Sequence, residues 1–186
     1  MKGTILLCLE EAIISRFGEE DWSNCISSAG YDRDYSFGKR IKDNIDENES
    51  IALFMKSAEV LNIDLKELFD LFGEYWCCTY APSVYGVFYV GFMSTKKAIT
   101  KLDWVHDRVT QSIADAKPPR FVLDWIDDDK VLLKYQSNRA LIDLLISLIK
   151  GLNKKFNDST IITKLSETEL ELVFLDSPGK TEVIYA

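Results

Sequence analysis

At Pro118-Pro119 the hydrophobic period of the chain changes, and no single regular element can carry both patterns. Upstream, apolar residues recur every three or four positions. Ile5, Leu9, Ala12 and Ile13 form one such stripe, closed by Gly18, and Ile99, Leu102, His106, Val109 and Ile113 form another. Downstream, "RFVLDWI" and "KVLLKYQS" flank "DDD", the pattern of two strands joined by a hairpin turn. The chain therefore reads as α+β, with a helical N-terminal half packed on a C-terminal half that holds an antiparallel sheet and helices.

Between these landmarks the order of elements is legible. A short helix is expected from Asp21 to Ala29, ended by Gly30, followed by the polar, turn-rich "GYDRDYSFGKRIKDNIDENES". "SIALFMKSAEVLN" and "DLKELFDLFGEYWCCTY" read as two helices; Asp64 with Glu67 makes a capping box, and Pro82 ends or kinks the second. Ser94 or Thr95 caps the helix that carries His106 and runs to Pro118-Pro119. A further helix spans about Asn138 to Gly151, and "STIITKL", "ELELVFLD" and "TEVIYA" read as strands.

Composition narrows the function. At 186 residues the chain is long enough for one well-packed domain. A net charge of −8 argues against a nucleic-acid surface, which needs clustered Lys and Arg. The basic run "KKAITK" reads as a solvated helix face. Cys8, Cys25, Cys77 and Cys78 show neither C-x-x-C nor zinc spacing and suit a reducing compartment. "MKGTILLCLEEAIISRFG" reads as a helix rather than a signal peptide, and no apolar run approaches the roughly 20 residues of a bilayer span. A soluble cytoplasmic protein without membrane insertion is expected.

Two constellations carry chemistry. His106 is the one histidine and shares an apolar helical face. It is either a core histidine satisfied by a nearby carbonyl or an axial ligand. A zinc site wants three or four protein ligands whereas heme asks for one histidine, so heme is favoured among the cofactors. Tyr135, Ser137 and Arg139, spaced by two, can share a strand face, and Ser137 or Asn138 can cap the helix that follows. Two hydroxyls, a guanidinium fork and a helix N-terminus suit carboxylates such as heme propionates. The pattern is equally that of a strand tyrosine, a capping serine and a surface arginine.

Together these features resemble the heme nitric oxide/oxygen binding family, the H-NOX domains, over essentially the whole chain. The resemblance rests on "MKGTI", "LFGEYW", "WVHDRV", "KPPRF" and "YQSNR". It implies a single domain, residues 1–186, with a distal helical part at about 1–65, a proximal part with the sheet at 66–186, and heme b (protoporphyrin IX iron) between them. It implies His106 as proximal iron ligand and Tyr135, Ser137 and Arg139 as propionate partners. Pro119 and Ile5 would press on the macrocycle and distort it. Family members that hold dioxygen carry a distal tyrosine five residues past the arginine; here Leu144 stands there, with Leu9 and Trp76 at the partner positions. The resemblance thus implies a non-catalytic sensor that binds nitric oxide and carbon monoxide and excludes dioxygen. It also implies a separate signalling partner, a histidine kinase or a cyclic-di-GMP enzyme, and no zinc site.

Three alternatives stand beside this expectation. Tyr80, one turn beyond Trp76, sits at a pocket-facing position, and a hydroxyl aimed at bound gas would favour dioxygen. A heme enzyme acting on peroxide would want a distal acid–base group, and no second histidine is present. A cofactor-free interaction domain would use His106 only structurally.

Overall fold

In the computed structural model, which describes residues 1–111, 117–176 and 178–186, the change of period separates a helix from a hairpin. Helix α1 (Gly3–Phe17) buries Leu6, Leu9, Ala12 and Ile13 and ends at Gly18, whose φ of 103° is the left-handed turn that glycine accepts at little cost. Its first turn lies so close under the loop before α3 that a Cβ on Gly3 would overlap the Arg40 carbonyl. Helix α2 (Glu19–Ser28) and a single 3₁₀ turn (Phe37–Arg40) follow. The buried Glu10 carboxylate secures that turn, accepting from Ser36 Oγ at 2.6 Å and the Phe37 N–H at 2.8 Å.

Helix α3 (Glu47–Leu61) begins earlier than "SIALFM" suggests, because the Asp46 side chain accepts from the Asn48 and Glu49 N–H groups and so caps it. In α4 (Leu65–Tyr75) the expected cap is present, Asp64 accepting from the Glu67 N–H at 2.7 Å. Pro82 does not end this helix. Residues Trp76–Tyr80 widen into a π-turn and α5 (Ala81–Val84) continues with Pro82 in its first turn. The wider turn removes the clash between a proline ring and the carbonyl four residues back. After α6 (Gly86–Tyr89) comes α7 (Thr95–Thr110), capped by Ser94 Oγ, which accepts from the Lys97 N–H. Ile113, the last residue of its apolar stripe, lies outside the described residues.

Strands β1 (Arg120–Trp125) and β2 (Lys130–Gln136) form the hairpin, its turn fixed by Asp127 accepting from the Asp129 and Lys130 N–H groups. Helix α8 (Ile142–Phe156) starts and ends later than expected, and neither Ser137 nor Asn138 caps it; its N-cap is Leu141. Strands β3 (Ser159–Lys164), β4 (Glu169–Leu175) and β5 (Glu182–Tyr185) complete a sheet of order β1-β2-β4-β3-β5 among the described residues. The sheet is mixed rather than wholly antiparallel, because β5 pairs parallel to β3. The chain reverses after β4, and β3 already runs against β4, so a strand added at the outer edge of β3 must run with it.

Helix α8 lies between the two halves. One side meets the sheet, with Ile146, Ile149 and Leu145 in a core shared with Val131, Leu133, Leu170 and Leu172. On its other side it crosses α4 backbone to backbone: a Cβ on Gly73 would overlap the Ser147 carbonyl, and one on Gly151 the Gly73 carbonyl. A second core joins α1, α2, α3 and α4 through Leu6, Leu9, Ile26, Leu53, Leu68 and Phe72. Trp76 and Leu148 pack against both. No helix among the described residues is long and apolar enough to cross a membrane.

Candidate functional site

A cavity of about 550 Å³ opens where the two cores meet, within the range of roughly 300–1,000 Å³ usual for cofactor pockets. Helix α7 supplies His106 to its wall, for the reason its sequence foretold: the histidine belongs to the inward stripe with Leu102. Its Nδ1 lies 2.9 Å from the Leu102 carbonyl, one turn back. That oxygen can only accept, so Nδ1 carries the proton and Nε2 keeps its lone pair. Burial pushes the imidazole below its ordinary pKa, outweighing the upward pull of that carbonyl and of Asp103. A neutral ring with an unprotonated Nε2 is the form that ligates a metal. Phe121 packs on the ring at 5.1 Å between centroids.

Asp103 and Asp107 hold α7 on the sheet through Arg120. The Arg120 Nε donates to Asp103 at 2.8 Å, and the Phe121 N–H reaches the same carboxylate at 2.9 Å. The arginine holds the Asp103 carboxyl below its usual range.

Tyr135 and Arg139 both line the cavity, but they do not share a continuous strand face. Strand β2 ends at Gln136, and the chain then turns, with Ala140 at a φ of 49°. Ser137 stands behind the lining and its Oγ accepts from the Arg139 N–H at 3.2 Å, fixing that turn. Arg139 Nε pairs with Glu47 at the head of α3, and both reach the cavity edge. The N-terminal ammonium is close by, donating to the Ile45 carbonyl at 2.6 Å; burial lowers its pKa. Sequence spacing gives no signal for Glu47, which stands at the head of α3, far along the chain from Arg139.

Ile5 of α1, Trp76 of the π-turn, Leu144 of α8 and Pro119 before β1 form the apolar wall. Leu9 is buried in the first core and Tyr80 lies one layer behind the lining. The Tyr80 hydroxyl meets neither solvent nor a backbone carbonyl but Thr4 Oγ1, at 2.7 Å, while its ring stacks on Trp76 at 5.4 Å. Thr4 does line the cavity, a role that periodicity alone does not reveal. Cys77 also lines it; its thiol donates to the Leu148 carbonyl at 3.3 Å, and burial raises its pKa. Among the described residues no three His, Cys, Asp or Glu side chains gather as a metal site.

These residues fit a flat, apolar, carboxylate-bearing group that takes one nitrogen ligand. The lining offers an arginine, a tyrosine and the lysines Lys2 and Lys117. It also offers one imidazole, hydrocarbon, and the polar atoms of Thr4, Cys77, Tyr85 and Tyr89.

A family model described as Haem-NO-binding matches residues 2–164. No curated protein sequence matches the chain. Among solved structures, a Cs H-NOX variant carrying 4-cyano-L-phenylalanine superposes with a TM-score of 0.83 at 21% identity, covering 96% of this chain and 98% of that one. An oxygen-binding H-NOX domain related to soluble guanylate cyclases, in its oxygen complex, gives 0.80 at 21% identity, with 96% of each chain covered. A mutant of the T. tengcongensis H-NOX gives 0.81 at 22% identity, covering 96% of this chain and 99% of that one.

Proposed function

Since the chain belongs to the Haem-NO-binding family, we propose that it is a heme-based gas sensor binding nitric oxide and carbon monoxide, excluding dioxygen, without catalysis of its own. The single observation that carries this reading is His106, whose Nδ1 is tied to the Leu102 carbonyl while the ring faces the cavity. Ferrous heme b, when bound, supplies the iron at which a diatomic gas coordinates. His106 would hold it through Nε2. Arg139 and Tyr135, with Ser137 fixing the turn between them, would hold the propionates. Ile5 and Pro119 would press on the ring.

Gas selectivity follows from the wall opposite His106. Five residues past Arg139, Leu144 brings hydrocarbon where a tyrosine hydroxyl would support the negative charge that dioxygen builds on its outer atom. A second reading keeps support from one observation. The Thr4–Tyr80 pair has two hydroxyl protons and one mutual hydrogen bond, and Thr4 is at the cavity surface. If the spare proton reaches bound gas, dioxygen is held.

In signalling, His106 would be the one link between the heme and α7, so a gas that weakens its hold on the iron would free that helix. Helix α7 would then relax, and the distal part, about residues 1–65, would shift against the proximal part, 66–186. The reader of that shift would be a separate cytoplasmic histidine kinase or cyclic-di-GMP enzyme.

The test is an absorption spectrum of the dithionite-reduced protein under nitrogen, then with nitric oxide, then in air. A broad Soret band of five-coordinate ferrous heme that shifts with nitric oxide and ignores air is expected. His106→Gly should lose heme, or keep it only with added imidazole. A colourless protein after hemin addition would leave the interaction-domain alternative. A split visible band in air would mean stable dioxygen binding. Tyr80→Phe and Thr4→Val should then each shorten the lifetime of the oxygen complex; in the nitric oxide sensor neither changes air sensitivity.

A further inference from the structure

The segment Val84–Met93 is apolar on both faces. Inward, Phe88, Tyr89 and Phe92 line the cavity. Outward, Val84 at the end of α5, Val87 in α6, and Val90 and Met93 beyond it recur every three residues, and Val87 and Val90 are 81% and 87% exposed. Trp104 of α7, half exposed, adjoins the segment, its ring meeting Phe88 edge-on at 5.9 Å. Scattered exposed valines are ordinary on a surface, but a stripe that continues into a tryptophan marks an interaction site.

The charge of α7 is sorted around this stripe. Asp103 and Asp107 turn to Arg120 and the sheet. Lys97, Lys101, Trp104 and Arg108 follow one outer line of the helix, and Arg108 lies over the Trp104 ring at 5.7 Å. Among the described residues none of these three cations pairs with a carboxylate. A chain of net charge −8 thus shows a basic, apolar face on the helix that carries His106.

We propose that this face docks an acidic amphipathic helix of the signalling partner, with apolar side chains on Val87, Val90, Met93 and Trp104 and carboxylates on Lys97, Lys101 and Arg108. The inference deepens the sensor reading and rests on it. A second copy bound face to face would set these cations against their own images. An anionic bilayer would meet three cations on a strongly acidic protein, too little attraction at about 1 kcal/mol per cation. The face is well placed as a readout: Phe88 touches both the cavity and Trp104, and Trp104 shares α7 with His106.

The probe is a labelled synthetic helix of about 18 residues, with leucines at i, i+3, i+4 and i+7 and glutamates elsewhere, beside the same peptide with lysine for glutamate. Fluorescence anisotropy against the heme-loaded chain should show binding of the acidic peptide only. Val87→Asp with Val90→Asp, and Lys97→Glu with Lys101→Glu, should each weaken it at least about tenfold while leaving the Soret band and its nitric oxide shift unchanged. Affinity should differ at least about threefold between the ferrous and nitric oxide states. Equal binding of both peptides, unaltered binding by both variants, or equal affinity in the two states would overturn the proposal. So would co-sedimentation with phosphatidylserine vesicles in place of peptide binding, or a dimer dissolved by Val90→Asp. A parent chain without a Soret band fails the sensor reading separately, and the peptide comparison on that apo-protein still decides the surface.

Discussion

The two cores touch along two seams of opposite character. At one, α4 and α8 cross with Gly73 and Gly151 against each other's backbone, and the contact is framed by a polar cluster. Asp70 accepts from Ser147 Oγ at 2.6 Å and from Lys150 Nζ at 2.7 Å, and Lys154 pairs with Glu74. At the other, across the cavity mouth, the halves meet through Arg139 and Glu47 beside the N-terminal ammonium. Backbone contact leaves no side chain to repack, so the first seam resists translation. An ion pair partly open to water can be exchanged for another partner at small cost. A molecule with one fixed and one exchangeable seam has a defined direction in which its halves can move.

The largest expected effect comes from breaking the fixed seam. Gly151→Val places a branched side chain on the Gly73 carbonyl and against Cys77. It should cost about 3 kcal/mol or more, lowering Tm by roughly 6–12 °C in calorimetry; a shift under about 2 °C would mean that the crossing is loose. Asp70→Ala leaves the glycine contact and removes the acceptor of Ser147 and Lys150. A loss of about 1–2 kcal/mol in urea unfolding is expected, and no loss would reduce the polar frame to surface decoration. Smallest is Glu47→Gln at the exchangeable seam, with a change below about 1 kcal/mol that vanishes in high salt. A larger, salt-insensitive loss would make the two seams alike.

Reading these seams from sequence succeeds where the signal is local. Asp64 and Ser94 cap because their side chains reach N–H groups three residues on, and "DDD" turns because Asp127 satisfies its own hairpin. His106 and its stripe were visible for the same reason. Gly151 looked like a helix end, yet α8 runs on to Phe156 and stops at Asn157 with a φ of 54°; its glycine answers to α4, far away in sequence. Pro82 reads as an end or a kink because its ring clashes in an α-turn, and the π-turn before it removes the clash without ending the helical run. Ser137 was placed beside Tyr135 by a period of two that the strand abandons one residue earlier. Glu47 and Thr4 gain their roles only when α3 and α1 fold onto the C-terminal half. Spacing shows what a residue does within its own element, and the partners across the cavity come from assembly.

The glycine crossing also sets a scale of amplification. Gly151 lies nine residues from Ile142, the first residue of α8, and at 1.5 Å per residue that arm is about 14 Å long. A swivel of about 5° at the crossing carries the start of α8, and the Arg139 turn joined to it, through about 1 Å. Hydrogen bonds fade steeply over such a distance. A small angular adjustment of α8, carried together with the buried side chains packed on it, would therefore be enough to engage or release Arg139 at the far end of the lever.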